Sequence, residues 1–570
     1  MHFAPSVNTL FIRRKKIPST RVHPSGPLSR NCSSPITAEW AGSPFRDVCP
    51  SYWVGDCPSD RRWPRLSPLP LMLLPPRFRA LCLTLAMFMG AGLWAPSLVQ
   101  AQGFGVYEQG SCAMARAGAA VADGCGDGSS IYFNPAHVAG TDGFTASFGT
   151  TVIDVGGNFT YDPGAQTSAT VDEVDLDNDP LPVPHAYLTY GLTEKIGLGL
   201  GTYVPYGLET RWPTRLSDET VFDGAFEGFD NQLQAIYVQP TVSYQVTPNL
   251  SIGAGPVAVI SSVELNQLQD LSPRTVRNPQ TGEPVPDPAN PDENLQFSQL
   301  GIPFHTAFAR SKLDANNEFG LGANIGVSYQ ASDRVTLGVR YTTPIIVEYE
   351  GEATFEQEET GLIFPATSPL AQDLDDDDAP DPTPADGLLA SQFSGDGVLT
   401  SQSVKTEITF PMQLVAGVSV QATEKLMLLA DYQFTGWSSF DKLPLEFGQL
   451  EDRTRPEDYE DTHGVRVGAE YDLLAPLTVR AGYLFNTAAA PDKSVTPLLP
   501  ESERNQFTVG FGWRVTDAVA FNVSYQRLQQ NDRRGRVRGA LPDEDLSTDL
   551  NQGLFSFNAN LIGATFTLHL

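Results

Sequence analysis

Between residues 319 and 341 the chain alternates with a period of two. Phe319, Leu321, Ala323, Ile325, Val327 and Tyr329 take one face; Gly320, Gly322, Asn324, Gly326 and Ser328 take the other. After Asp333 the pattern resumes, with Val335, Leu337, Val339 and Tyr341 against Thr336, Gly338 and Arg340. Residues 477–483 and 507–513 repeat it. One apolar face and one small or charged face, held for about ten residues, is the pattern of a strand with lipid on one side and a lumen on the other. Soluble sandwiches also alternate, so the turns between strands have to decide.

The turns recur in one form: an aromatic ring, any residue, an apolar residue, Thr or Ser, two turn residues, an apolar residue. Copies begin at Tyr190, Tyr244, Tyr329 and Trp513, with looser ones at Val420 and Tyr471. Rings held at one distance from a tight turn suit an interfacial girdle. Short turns alternate with long segments near 154–181, 205–232, 265–317, 352–402, 436–463, 488–505 and 530–553, which hold most of the Asp and Pro. A first strand near 142–153 and a last near 554–570 complete an expected fourteen, an even number with both ends on the short-turn side. No stretch after residue 101 is apolar for about 18 residues, which excludes membrane helices. Strands can cross lipid only if the sheet closes on itself, because every backbone N–H and C=O there needs a partner. The expected fold is therefore all-β: a fourteen-stranded antiparallel transmembrane barrel over residues 142–570, in a bacterial outer membrane.

The N-terminal end reads differently. Residues 1–101 hold 12 basic and 4 acidic side chains, in a chain whose net charge is -30. Arg77 and Arg79 precede an apolar run from Ala80 to Trp94, and Val99-Gln100-Ala101 offers a small-residue cleavage site. That is the layout of a secretory signal peptide, assigned to 72–101 with translation expected to begin at Met72. Residues 1–71 are read as an untranslated or disordered leader. The acidic balance argues against a nucleic-acid partner, which needs a basic face.

Beyond the signal, residues 102–141 do not alternate. They are small, Gly-rich and mildly helical, and about forty such residues ahead of a barrel suit a hatch, or plug, inside the lumen. This stretch holds both remaining cysteines, Cys112 and Cys125. An oxidising compartment makes them a candidate disulfide, worth about 3 kcal/mol on the chain-entropy account.

Several segments resemble the FadL family of outer-membrane transporters for long-chain fatty acids and other hydrophobic compounds. They are Ala115-Arg116-Ala117-Gly118-Ala119-Ala120, the hatch motif Asn134-Pro135-Ala136, and Val204-Pro205-Tyr206-Gly207-Leu208 leaving the third strand. Thr409-Phe410-Pro411, Gly436-Trp437-Ser438-Ser439-Phe440, and Arg480-Ala481-Gly482-Tyr483 leading through Pro500 to Arg504 complete the set. The cysteine pair and the acidic inserts depart from the family pattern. The resemblance implies a hatch-closed barrel that captures hydrophobic cargo at its outer loops, holds it in an interior pocket and releases it sideways near the third strand. No coupled energy source is needed, and the partners are the cargo and outer-membrane lipid, with the protein a monomer.

The candidate capture loop lies between Pro205 and Asn231. It carries Tyr206, Trp212, Phe222, Phe226 and Phe229, expected to be exposed, with Arg211 placed to hold a carboxylate. Ile302, Phe304, Phe308 and Arg310 form a second candidate; the Pro- and Asp-rich stretch 284–294 before them is expected to be mobile. Arg340, Arg466 and Arg480 should face the lumen and pair with acids such as Glu470 and Asp431. The Asp run 373–378 lacks the spacing of a calcium loop and reads as solvated charge. No catalytic constellation, metal site or cofactor site is expected; His185 and His463 read as spectators. Passive uptake of hydrophobic small molecules leads the functional expectations, ahead of a general porin and a barrel-anchored adhesin or receptor.

Overall fold

A computed structural model describes residues 103–570, apart from 166, 168–169, 279–280, 376–378, 396 and 541–543. The expected leader (1–71) and signal peptide (72–101) lie outside the described residues. Fourteen strands make the wall. They are β1 (Phe144–Tyr161), β2 (Leu181–Thr193), β3 (Ile196–Arg211), β4 (Asp230–Thr247), β5 (Leu250–Asp270) and β6 (Ala307–Ser332). β7 and β8 are each in two pieces, Val335–Thr342 with Ile345–Gln357 and Gln402–Phe410 with Gln413–Gln421. Then come β9 (Leu426–Thr435), β10 (Thr462–Leu474), β11 (Leu477–Asn486), β12 (Arg504–Thr516), β13 (Val519–Gln530) and β14 (Gly553–His569). Each pairs antiparallel with the next, and β14 returns to β1 from Thr145↔His569 to Tyr161↔Gly553, so the sheet closes on itself.

The outward face is apolar where lipid belongs. Phe148 is 62% and Leu321 65% exposed, an arrangement that water would penalise at roughly 25 cal/mol per Å². Tyr190, Tyr244, Tyr329, Tyr471 and Trp513 are exposed beside the short turns, forming the girdle the repeated turn implies. Among the described residues no helix is long and apolar enough to cross a membrane.

Several strands run further than alternation indicates. β1 continues to Tyr161 rather than residue 153, β3 reaches Arg211 and β5 reaches Asp270. Past the lipid the ladder still satisfies backbone groups, but neither face has to be greasy, so the periodic signal fades while the pairing persists. The segments 271–306 and 358–401 also depart from simple loops. Leu271, Val276, Leu295, Phe297, Ile302, Phe308, Phe364, Leu389 and Leu399 pack into a second apolar core, separate from that of the barrel. The stretch expected to be mobile is pinned there: Val285 N–H donates to Val276 O at 2.9 Å and Leu295 N–H to Val285 O at 2.8 Å.

Candidate functional site

The stretch expected to be a hatch is mostly buried against the inner wall from Phe104 to Val138, with two single-turn helices, α1 (Ser111–Met114) and α2 (Ser130–Phe133), and a 3-10 turn Pro135–Val138. Asn134 is fully buried. Its side chain caps the 3-10 turn by accepting from Ala136 N–H at 3.1 Å, and Pro135 suits the first position because its missing N–H would go unpaired. The same side chain donates to Val121 O (2.7 Å) and to Val327 O on β6 (3.1 Å). Gly253 on β5 and Gly326 on β6 make this docking possible: a Cβ on either would collide with Asn134 or Pro135.

Polar side chains on the inner wall satisfy the rest of the hatch backbone. Gln239 donates to Ile131 O (2.9 Å), Arg340 to Tyr132 O (3.1 Å), Ser243 to Ala136 O (3.0 Å) and Thr508 to Ala115 O (3.1 Å). Asp431 accepts from Ala120 and Val121 N–H. Sequence reasoning missed these as hatch anchors. Their one signal is a polar residue on the otherwise small inward face of a strand. Cys112 and Cys125 form a disulfide, S–S 2.02 Å. Arg116 lies beside it, pairing with Asp123 at 3.0 Å and Glu470 at 3.6 Å.

The expected arginine pairing holds for Arg480, 2.6 Å from Glu470. It does not hold for Arg340 and Arg466, which have no carboxylate within 4.0 Å among the described residues. They lie instead over hatch rings, Arg340 4.8 Å from the Tyr132 centroid and Arg466 4.9 Å from that of Tyr107.

Above the hatch, toward the long-loop side, lies a cavity of about 150 Å³. Its walls are mostly apolar: Phe104 and Val106 of the hatch, Ile153 and Val155 of β1, Leu208 of β3, Leu499, Leu528, Phe557 and Leu561. Arg504 is the cation in this wall. Its Nη groups donate to Gly103 O (2.6 Å) and Gly105 O (3.3 Å), and its buried Nε–H has no partner among the described residues. Beside it Glu501 accepts from Gly103 N–H (2.5 Å) and from Ala489 and Ala490 N–H. Burial holds the Glu501 carboxyl above the ordinary carboxylate range, against the opposing pull of Arg504 and those amides.

The cavity borders a break in the wall. β2 and β3 pair only from Thr193↔Ile196 to Ala186↔Thr202, and beyond that β2 keeps β1 while β3 keeps β4. Pro182 and Pro184 carry no N–H for a β3 partner, and β3 bulges at Val204-Pro205. The edge of β3 left open is taken by the start of the hatch: Val106 N–H donates to Pro205 O at 2.8 Å and Gly207 N–H to Phe104 O at 3.1 Å. Gln109 adds bonds to both backbone groups of Val204.

The structure places the loop aromatics differently from the expectation of an exposed patch. Tyr206, Trp212, Phe222 and Phe229 are buried and Phe226 packs against them. Trp212 and Phe222 turn inward onto Phe159, Phe555 and Phe557, and Trp212 Nε1 donates to Pro497 O. Loop rings that find one another bury their own area, so the loop folds back onto Phe557 of the cavity wall. Arg211 is engaged with Asp179 at 2.9 Å. Phe304 and Phe226 sandwich His305. His185 and His463 bond Thr565 and Tyr432.

A family model described as outer membrane protein transport protein (OMPP1/FadL/TodX) matches residues 92–569. The chain is 24% identical to outer membrane protein P1 of Haemophilus influenzae over 351 residues, 61% of this chain; the match spans 66% of that relative's length. It is 21% identical to the long-chain fatty acid transport protein of Escherichia coli K12, covering 75% of this chain and 88% of the relative. Among solved structures, a Pseudomonas aeruginosa FadL homologue superposes with a TM-score of 0.65 at 19% identity, covering 82% of this chain and all of that one. The family consists of transport channels rather than enzymes. With its closed, fourteen-stranded wall, this chain is a bacterial outer-membrane β-barrel and belongs to the OMPP1/FadL/TodX family of outer-membrane transport proteins.

Proposed function

We propose that this barrel takes up long-chain fatty acids or similar hydrophobic molecules passively, as a monomer, and passes them sideways into the membrane. The observation that carries the reading is the cavity: mostly apolar walls, one arginine with a spare N–H among the carboxylates Glu108, Asp179, Glu209 and Glu501, and a border on the β2–β3 break. Apolar cargo gains roughly 25 cal/mol for each Å² it hides from water there, and a carboxylate head can take the Arg504 N–H. Capture is assigned to the outer mouth, where Trp212 packs on Phe222 and on Phe557 of the cavity wall, rather than to an exposed aromatic patch. A general porin is disfavoured by the buried packing of residues 104–138 against the inward face of the wall, where an open pore would run. The test is mass spectrometry of protein purified in mild detergent, with oleate binding measured alongside. Co-purified fatty acid or detergent, and oleate binding weakened about tenfold or more by Arg504→Ala (loss of a charge-assisted bond,), are expected. Protein with no bound amphiphile and no oleate affinity overturns the reading.

A further inference from the structure

Away from the β2–β3 break, the wall changes phase at two different heights on neighbouring strands. On β6, Asn316 and Asn317 together oppose the single Ser262 of β5, and Asn317 sits in the left-handed region at φ 63. Above that bulge Ser311 and Ala315 are buried; below it Gly320 and Asn324 are. On β7 the corresponding change comes lower, at Thr343-Pro344, opposite the Pro411-Met412 break in β8. Below it Gly338 and Arg340 point inward; above it Ile345, Val347 and Tyr349 do.

Between the two heights the strands are out of step. An inward residue of β6 would have to sit opposite an outward residue of β7, and a one-residue slip of this kind defeats a ladder. The pairing accordingly runs from Ala309↔Gln357 to Asp314↔Glu352, stops, and resumes in the same register at Asn324↔Thr342. The interrupted window lies at the level of lipid chains: Phe319, Leu321 and Ile346 point outward and are more than half exposed. Within it no ladder pair forms, although Ile346 O lies 3.0 Å from where a Gly320 Cβ would be and Thr343 N–H donates to Ala323 O (3.0 Å) at its lower end; side chains fill the rest. Ile345 and Val347 lie over Gly320 and Gly322, so near that a Cβ on Gly320 would be 2.7 Å from Val347 Cγ2. On their inner side both belong to the buried apolar core that includes Tyr206, Tyr237 and Phe410 and reaches Phe104 at the cavity wall. Phe104 and Phe410 are 6.2 Å apart, Phe410 and Tyr237 6.3 Å.

We propose that the β6–β7 window is a second sideways portal for apolar cargo, joined to the cavity through this aromatic core and gated by Ile345 and Val347. Rotamer changes of the two aliphatic side chains, with the Ile346 backbone swinging off Gly320, open it between Asp314↔Glu352 and Asn324↔Thr342 without parting a ladder pair, whereas the β2–β3 break is held by hatch backbone. The portal rests on the uptake reading above.

A covalent tie tests it. The Cβ that Gly322 lacks would lie 2.5 Å from Ile345 Cγ1, so Gly322→Cys with Ile345→Cys places two sulfurs within bonding reach. Gly320→Cys with Val347→Cys is the second variant. Uptake of tritiated oleate and of toluene into proteoliposomes is measured before and after reductant, on full-length protein whose folding is checked by heat-modifiable gel migration. Wild-type protein with and without reductant accounts for the native disulfide. The portal predicts that uptake by the oxidised variants at least halves and returns on reduction. Folded, tied variants that transport like wild type overturn it, while the uptake reading stands. Wild-type protein that moves neither compound faster than protein-free vesicles overturns both.

Discussion

Glu227 shows how much one buried carboxylate organises. It lies in the segment between β3 and β4, 2.8 Å from Arg536 and 3.2 Å from Arg455, and Arg455 also meets Glu457 at 3.0 Å. Three outer segments are thereby tied together over the cavity. Burial alone would raise the Glu227 carboxyl, but Arg536 and Arg455 outweigh it and hold it below the ordinary range. A depressed acid stabilises the fold above its unfolded pKa of about 4.3 and loses that contribution only as the pH falls through the lower folded value. The outer loops should therefore stay closed at neutral and mildly acidic pH and loosen below about pH 4, seen as faster hydrogen exchange over 222–229. Glu227→Ala leaves two buried guanidiniums short of charge, and about 3 kcal/mol of local protection should disappear from the same peptides. Sequence could not supply such partners. Parity told that Arg340 and Arg466 face inward, yet they meet Gln413 and Gln433 of the wall and rings on a hatch that has no periodicity to read, not the acids expected.

At the scale of elements, alternation was enough to locate the wall because lipid and lumen impose opposite demands on successive residues. It failed at Asn316-Asn317, where a bulge exchanges the faces of one strand, and at Thr343-Pro344 opposite Pro411-Met412, where both strands exchange faces together in unbroken register. The burial of Trp212 and Phe222 was illegible for another reason: a loop that folds on itself and a loop that exposes its rings have the same composition. The glycines on the lumen face are more telling than they looked. Gly253→Ala puts a Cβ into the backbone of Pro135, so the Asn134-Pro135-Ala136 turn must lift from the wall, at a cost of about 1–3 kcal/mol. Vancomycin should enter cells expressing this variant faster than cells expressing Gly126→Ala, whose Cβ meets nothing within 4 Å. Equal entry would mean that the turn does not seal the lumen.

At the scale of the molecule, the proposed uptake makes the barrel the frame and the hatch the part expected to set what passes. A chain lacking 102–141 should give steady conductance in planar bilayers and raise nonspecific permeability, both low in the intact protein. A deletion that leaves leakage unchanged would remove the plug assignment. The chain's broad plan, strands with an unlike segment ahead of them, was visible in the residues, since each part obeys a different solvent. The outer lobe built on Leu271, Phe297 and Phe364 was not, because its two contributing segments are far apart in sequence and neither is periodic. Having a core of its own, that lobe can accumulate substitutions without disturbing the cylinder beneath, so the outermost surface is free to diversify while the pairing of the wall stays as it is.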